Sequence, residues 1–221
     1  MNTAWNHWFM TTDRKMTNAA LTAGAGLASA QGAAAAEDAL NELLAQIRSP
    51  DDRVRGPAWQ KAGPYGAPAV KPLIAVMAAA DMEVARAATR ALWKIVRHAG
   101  RPGAEEEKLA VASQLAGQLA SGPTQVRREL LWMLSEVGGD EAVEPVAALL
   151  QEVDLREDAR AALQRIPGAK PLAALKSALT VVPEDYRPAL AVSLRARGEK
   201  VEGYPSRRLV PTRQTTVKAV E

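Results

Sequence analysis

The sequence predicts an all-α fold, a right-handed α-solenoid of about five stacked helical hairpins. Three observations lead to this prediction: a composition that favours helices, short segments that recur along the chain, and turn residues between them. Of the 221 residues, 48% are apolar, but only one is Phe and three are Tyr. Ala and Leu dominate this apolar content and are strong helix formers. We therefore expect closely packed helices rather than a sheet core.

A three-residue pattern recurs along the chain: a charged residue, then Pro, then an apolar residue. This pattern reveals the repeat. Its copies are Lys71-Pro72-Leu73, Glu144-Pro145-Val146 and Lys170-Pro171-Leu172, and the stretch 37–47 is a degenerate fourth copy. Proline is tolerated in the first turn of a helix because the amide it lacks had no partner there. We therefore expect these segments to mark the starts of the first helices of the hairpins.

A turn and a second helix that contains Arg follow each first helix. The turns are rich in Pro, Gly, Asp and Ser, which favour turns and helix N-caps. Paired helices with a period of about 30–40 residues are typical of solenoids. The predicted hairpins lie at about 37–66, 67–100, 101–139, 140–168 and 169–198. The third hairpin lacks the Pro-Leu start and opens instead on three consecutive Glu residues, which suit a helix N-terminus better than a metal site.

The Pro-Leu starts, the Asp-containing turns and the Val-x-Arg second helices resemble HEAT repeats, which are armadillo-like helical repeats. The resemblance covers residues 37–198. HEAT solenoids line their concave face with second helices, so the resemblance implies the same arrangement for this chain. The predicted second helices hold about 15 Lys/Arg against 7 Asp/Glu, whereas the first helices hold about 5 against 10. A basic concave face and an acidic outer face follow from the resemblance.

The second helix of the second hairpin carries the clearest candidate binding surface. At about 100° per residue, its cations fall on the arc opposite its apolar residues, and a Trp lies beside them. In the third hairpin a second Trp sits off the apolar arc, near an Arg. The candidate residues are Arg86, Arg90, Trp93, Lys94, Arg97, Arg128 and Trp132, and Trp59 with Arg55 one turn before it is a similar pair.

These Trp and Arg residues allow two interpretations. On an exposed face they would bind anionic partners by charge and cation–π contact, or form a protein-binding hot spot. Alternatively, each Trp packs against the neighbouring repeat, and the Arg side chains bond turn carboxylates such as those of Asp51, Asp52 and Asp81.

Catalytic motifs are missing from the sequence. There is no Cys, His7 and His98 are the only histidines, and no G-x-S-x-G elbow or Gly-rich nucleotide loop occurs. We therefore expect no catalytic residues, no metal and no cofactor. The leading hypothesis is a protein-binding scaffold whose partner carries an acidic surface. The alternatives are a nucleic-acid-binding repeat protein, similar to HEAT-like alkylpurine DNA glycosylases or a plain binder, and a protein similar to phycobilisome lyases.

The two ends of the chain differ from the repeats. Residues 1–36 form an expected leader, in which Arg14 and Lys15 precede a stretch of small residues with an Ala-Ser-Ala site. This arrangement predicts a signal peptide cleaved before Gln31 and a periplasmic or otherwise exported protein, with a cytoplasmic protein as the alternative. Residues 199–221 predict an extended or disordered basic tail, and no segment is apolar enough to span a membrane.

Overall fold

The structure is a computed structural model, of which residues 32–205 are described. Within this range the chain forms ten α-helices and no strand. They are α1 (32–47), α2 (Asp52–Gln60), α3 (Gly66–Ala79), α4 (Met82–Ala99), α5 (Glu105–Gly117), α6 (Thr124–Val137), α7 (Asp140–Ala148), α8 (Arg156–Arg165), α9 (Ala169–Val181) and α10 (Arg187–Ala196). Short 3-10 helices precede α3 and α10 and extend α7.

The helices stack in two layers. Each second helix contacts the next along the row α2, α4, α6, α8 and α10. The first helices α3, α5, α7 and α9 likewise contact one another in order. This arrangement confirms the predicted all-α solenoid of helical hairpins.

A continuous core fills the space between the layers. Leu and Ile side chains from successive hairpins are fully enclosed, among them Ile47, Leu73, Leu92, Leu130 and Leu155. Buried Ala residues on the facing helices add little bulk, so the layers approach closely. None of the helices within residues 32–205 is long and apolar enough to span a membrane.

Aspartates start the second helices of the first two hairpins. The Asp51 carboxylate accepts a hydrogen bond from the amide of Arg53 at 2.9 Å. The Asp81 carboxylate accepts from the amides of Glu83 and Val84 at 3.0 and 3.2 Å. These contacts satisfy amides that have no partner inside the helix, as expected from the turn residues in the sequence.

The repeat prolines do not all lie where we expected. Pro171 is in the first turn of α9, but Pro72 and Pro145 lie further inside α3 and α7. The prediction that each motif marks a first turn is therefore wrong for two of the three. A proline in a helix interior removes one backbone hydrogen bond and crowds the carbonyl one turn before it, at a cost of about 3 kcal/mol. Burial of neighbouring side chains such as Leu73 and Val146 offsets that loss.

The start of the described range also differs from expectation. Residues 32–36, which we expected in the leader, are helical and belong to α1, because their Ala-rich stretch favours helix. Residues 199–205 are irregular but attached to the solenoid. The Arg195 guanidinium donates to the carbonyls of Val201 and Tyr204, both at 2.6 Å. The predicted cleavage site and the rest of the predicted tail lie outside the described residues.

Candidate binding surface on the second helices

Aromatic side chains join the first three second helices. Trp59 of α2 lies beneath two cations of α4: the Arg90 Cζ atom is 5.5 Å and the Lys94 Nζ atom 5.8 Å from its ring centroid. Trp93 of α4 donates from Nε1 to Glu129 of α6 at 3.3 Å, and Arg97 lies over its ring at 5.2 Å. Both indoles are half-buried, so they pack against a neighbouring repeat and still present a surface.

Ion pairs join α6 to the fourth hairpin. The Arg128 guanidinium donates to the Asp158 carboxylate at 2.9 Å and to the carbonyl of Asp154 at 2.8 Å. Arg127 binds both carboxylate oxygens of Glu152 at 2.6 and 2.7 Å. These hydrogen bonds hold the pKa of Glu152 below its usual range. The cations of α6 are therefore neutralised within the fold.

Hydrogen bonds join α8 to α10. Arg160 donates to the hydroxyl of Ser193 at 2.6 Å. The Arg156 Cζ atom lies 4.4 Å from the ring centroid of Tyr186, in the 3-10 helix before α10. The Tyr186 hydroxyl donates to the carbonyl of Arg156 at 2.8 Å. Burial, with a smaller contribution from the nearby Glu157 carboxylate, raises the pKa of Tyr186 to about 12, so the phenol stays protonated. Arg197 caps the end of α8 by donating to carbonyls that include that of Ile166 at 2.6 Å.

Arg residues near the starts of three second helices form hydrogen bonds within their own hairpins. Arg55 donates to the carbonyl of Ser49 at 2.7 Å, and Arg127 donates to that of Leu119 at 2.7 Å. Arg187 makes the longer equivalent bond to Val182 at 3.4 Å. Each bond satisfies a carbonyl at the end of a first helix or in the turn after it. Much of the positive charge of the second-helix layer is thus structural, as the second interpretation of the sequence expected.

Three cations of α4 have no acidic partner of this kind. Within residues 32–205, Arg90, Lys94 and Arg97 form no ion pair, and they lie over the two indoles. Arg90 and Arg97 are exposed, and Lys94 is half-buried. We call Trp59, Arg90, Trp93, Lys94 and Arg97 the Trp–cation cluster. It groups three cations that form no ion pair in the described part of the chain with two half-buried indoles.

The other predicted site residues lie elsewhere on the same layer. Arg86 is exposed and pairs with Glu83 one turn before it, at 2.8 Å. Arg128 faces α8 through Asp158. Trp132 lies on α6, one turn after Arg128, and is 41% exposed. The structure therefore brings together four of the seven predicted residues and adds Trp59.

Sequence reasoning missed the acidic partners Glu129 and Asp158. Each lies one hairpin beyond the residue that it binds: Glu129 is 36 positions after Trp93, and Asp158 is 30 positions after Arg128. The spacing equals the repeat period. Comparing residues one period apart, rather than one helical turn apart, would have suggested both contacts.

An open groove runs between α4 and α6 beside the cluster, with a volume of about 660 Å³. Met77, Met82, Ala85 and Val126 supply apolar lining, and Arg90 and Glu129 line it as well. The groove and the Trp–cation cluster thus share Arg90. In the described part of the chain, no three His, Asp or Glu side chains lie close enough together to hold a metal ion.

Comparisons with known proteins identify solved structures of repeat proteins that are similar to this chain. The sequence matches no protein-family model and no curated protein. One similar structure is a computationally designed armadillo repeat protein for modular peptide recognition, 18% identical, with a TM-score of 0.42 over 70% of this chain and 80% of that one. Another is a designed armadillo repeat protein in complex with the peptide (KR)4, 16% identical, with a TM-score of 0.35 over 71% of this chain and 98% of that one. Structural similarity at these TM-scores does not indicate what this chain binds.

Proposed function

We propose that this helical-repeat chain is a non-catalytic scaffold that binds an acidic stretch of another protein through the Trp–cation cluster on α2 and α4. The observation that carries the proposal is the contrast along the second-helix layer. Arg127 and Arg128 of α6 are paired with carboxylates, whereas Arg90, Lys94 and Arg97 rest on indoles. A ligand carboxylate would supply the anion that these cations lack.

The chemistry of the cluster suits a protein ligand. Trp and Arg are the usual anchors of protein interfaces because they offer large contact areas and several hydrogen-bond donors. Arg90 and Arg97 can each bind a carboxylate with two parallel N–H donors. The indoles hold the cations in place, so less side-chain freedom is lost on binding.

Nucleic acid is the competing ligand, since phosphates would also satisfy these cations. One feature favours an acidic protein segment. Single-stranded nucleic acid is bound along grooves whose positive charge follows the backbone, but the cations of α6 are already paired with carboxylates of the chain itself.

Selection of peptides from a random displayed library, with the full chain as bait, tests the proposal. We expect the bound peptides to be enriched in Asp and Glu relative to the unselected library, because three uncompensated cations favour anionic ligands. A fluorescent single-stranded oligonucleotide serves as the competing probe. Selection without acidic enrichment, or tight oligonucleotide binding with a steep loss in salt, would overturn the proposal.

We also propose that the protein is exported after cleavage before Gln31, on the basis of the basic residues and the Ala-Ser-Ala site in the sequence. The expected result is an intact mass for the native protein that fits a chain starting at Gln31, in a fraction outside the cytoplasm. An uncleaved chain in the cytoplasm would contradict export and would make nucleic acid the first ligand to test.

A further inference from the structure

We infer that the groove between α4 and α6 binds a bulky apolar side chain of the same acidic segment, so that the ligand is an acidic peptide with an apolar anchor. This inference rests on the proposed function and names the ligand more closely. The apolar lining of the groove, its exposed Met residue and its continuity with the Trp–cation cluster support it.

Met82 is the most informative residue of the groove. It is the first residue of α4 and is 63% exposed, although it is a large apolar side chain. Met77 of α3 lies deeper and packs against the core. Flexible thioether side chains adapt to the shape of an apolar ligand, and Met is common on surfaces that bind varied peptides. The volume of about 660 Å³ lies in the usual range of ligand pockets and exceeds what one bulky side chain needs.

Arg90 connects the groove to the cluster. Arg90 is one of the residues that line the groove, and its guanidinium lies over Trp59. Glu129 lines the groove opposite α4 and accepts the hydrogen bond from Trp93. Successive residues of an extended peptide are about 3.3–3.6 Å apart. A peptide with its apolar residue in the groove therefore places the following acidic residues over Arg90, Lys94 and Arg97.

The charges around the groove favour a peptide over a nucleic acid as the ligand. Glu129 forms one wall, and the Arg86 cation on the other wall is paired with Glu83. A phosphate chain would gain nothing from Met77 and Met82 and would be repelled by Glu129. An apolar side chain tolerates both features because it carries no charge.

The test begins with the acidic peptides selected on the full chain. We expect a bulky apolar residue, such as Leu, Phe or Trp, to be enriched beside the acidic residues. Each selected peptide is then compared, by fluorescence polarisation, with a copy in which that residue is Ser. The Ser copy is expected to bind roughly tenfold more weakly, which corresponds to the burial of one large apolar side chain.

A groove variant shows where the apolar residue binds. A78Q combined with M82Q makes two exposed groove residues polar and leaves the net charge unchanged. The matched control, L109Q combined with A110Q, replaces a large apolar residue and an Ala by Gln at exposed positions of α5. The groove variant is expected to lose roughly tenfold in affinity for the apolar peptide and almost none for its Ser copy, whereas the control keeps both affinities. Circular dichroism confirms that both variants are folded.

The outcomes separate this inference from the proposed function. Acidic peptides without an apolar preference, bound equally by the groove variant, would overturn the inference and leave the proposed function standing. Selection without acidic enrichment would overturn the proposed function and this inference with it. An unlabelled single-stranded oligonucleotide that displaces the peptides with equal affinity would overturn both in favour of phosphate binding.

Discussion

Replacing Leu130 by Ala is expected to lower the free energy of unfolding by about 2–5 kcal/mol, because it leaves a cavity in a closely packed core. Leu130 is 0% exposed and lies in the middle of α6. That helix contacts α4, α5 and α8, so it links the first half of the solenoid to the second. In a solenoid, stability is approximately the sum of the hairpins and the interfaces between neighbours. Loosening the central interface is therefore expected to uncouple the two halves. Urea unfolding followed by circular dichroism measures both effects.

Leu109 offers the matched control, since it is the same residue type in the same hairpin but is 54% exposed on α5. Leu109→Ala is expected to change the unfolding free energy by no more than about 0.5 kcal/mol. If both substitutions lower the free energy of unfolding by the same amount, Leu130 is not buried more deeply than Leu109. That result would contradict the structure of the third hairpin.

The architecture of this chain could be predicted from local patterns. Asp51 and Asp81 begin helices because a carboxylate after a turn satisfies free amides, and this requires no knowledge of distant residues. The order of hairpins follows from the repeats for the same reason. The exact helix starts were less predictable, since burial of Leu73 lets α3 continue through Pro72.

The candidate site could be predicted only in part. The helical spacing of Arg90, Lys94 and Arg97 predicted that they share one face, and in the structure Arg90 and Lys94 lie over one indole and Arg97 over another. Nothing within one helix indicated that Arg128 would be neutralised by Asp158 of the next hairpin, or that Lys94 would lie over Trp59. These contacts depend on how neighbouring second helices are aligned, which the helical period alone does not determine.

Reversing two charges of the Trp–cation cluster is expected to lower the affinity for acidic peptides by at least roughly tenfold. The variant R90E combined with R97E changes attraction into repulsion at both ends of the cluster. Both side chains are exposed and form no ion pair in the described part of the chain, so the core is left intact. Trp59 and Trp93 are kept because their removal would also disturb contacts between repeats.

A matched variant separates this local effect from overall charge. K71E combined with R165E makes the same change in net charge at exposed cations of α3 and α8, outside the cluster. Circular dichroism must show unchanged helicity in both variants before their affinities are compared.

The affinity of these two variants and of the unmodified chain for one selected acidic peptide, measured by fluorescence polarisation in the same salt, tests the central claim most directly. We expect the R90E/R97E variant to lose at least roughly tenfold in affinity and the K71E/R165E variant to lose much less. Equal losses in the two variants would show that the peptide responds to net charge alone. Unchanged binding by the R90E/R97E variant would show that the Trp–cation cluster is not the binding site.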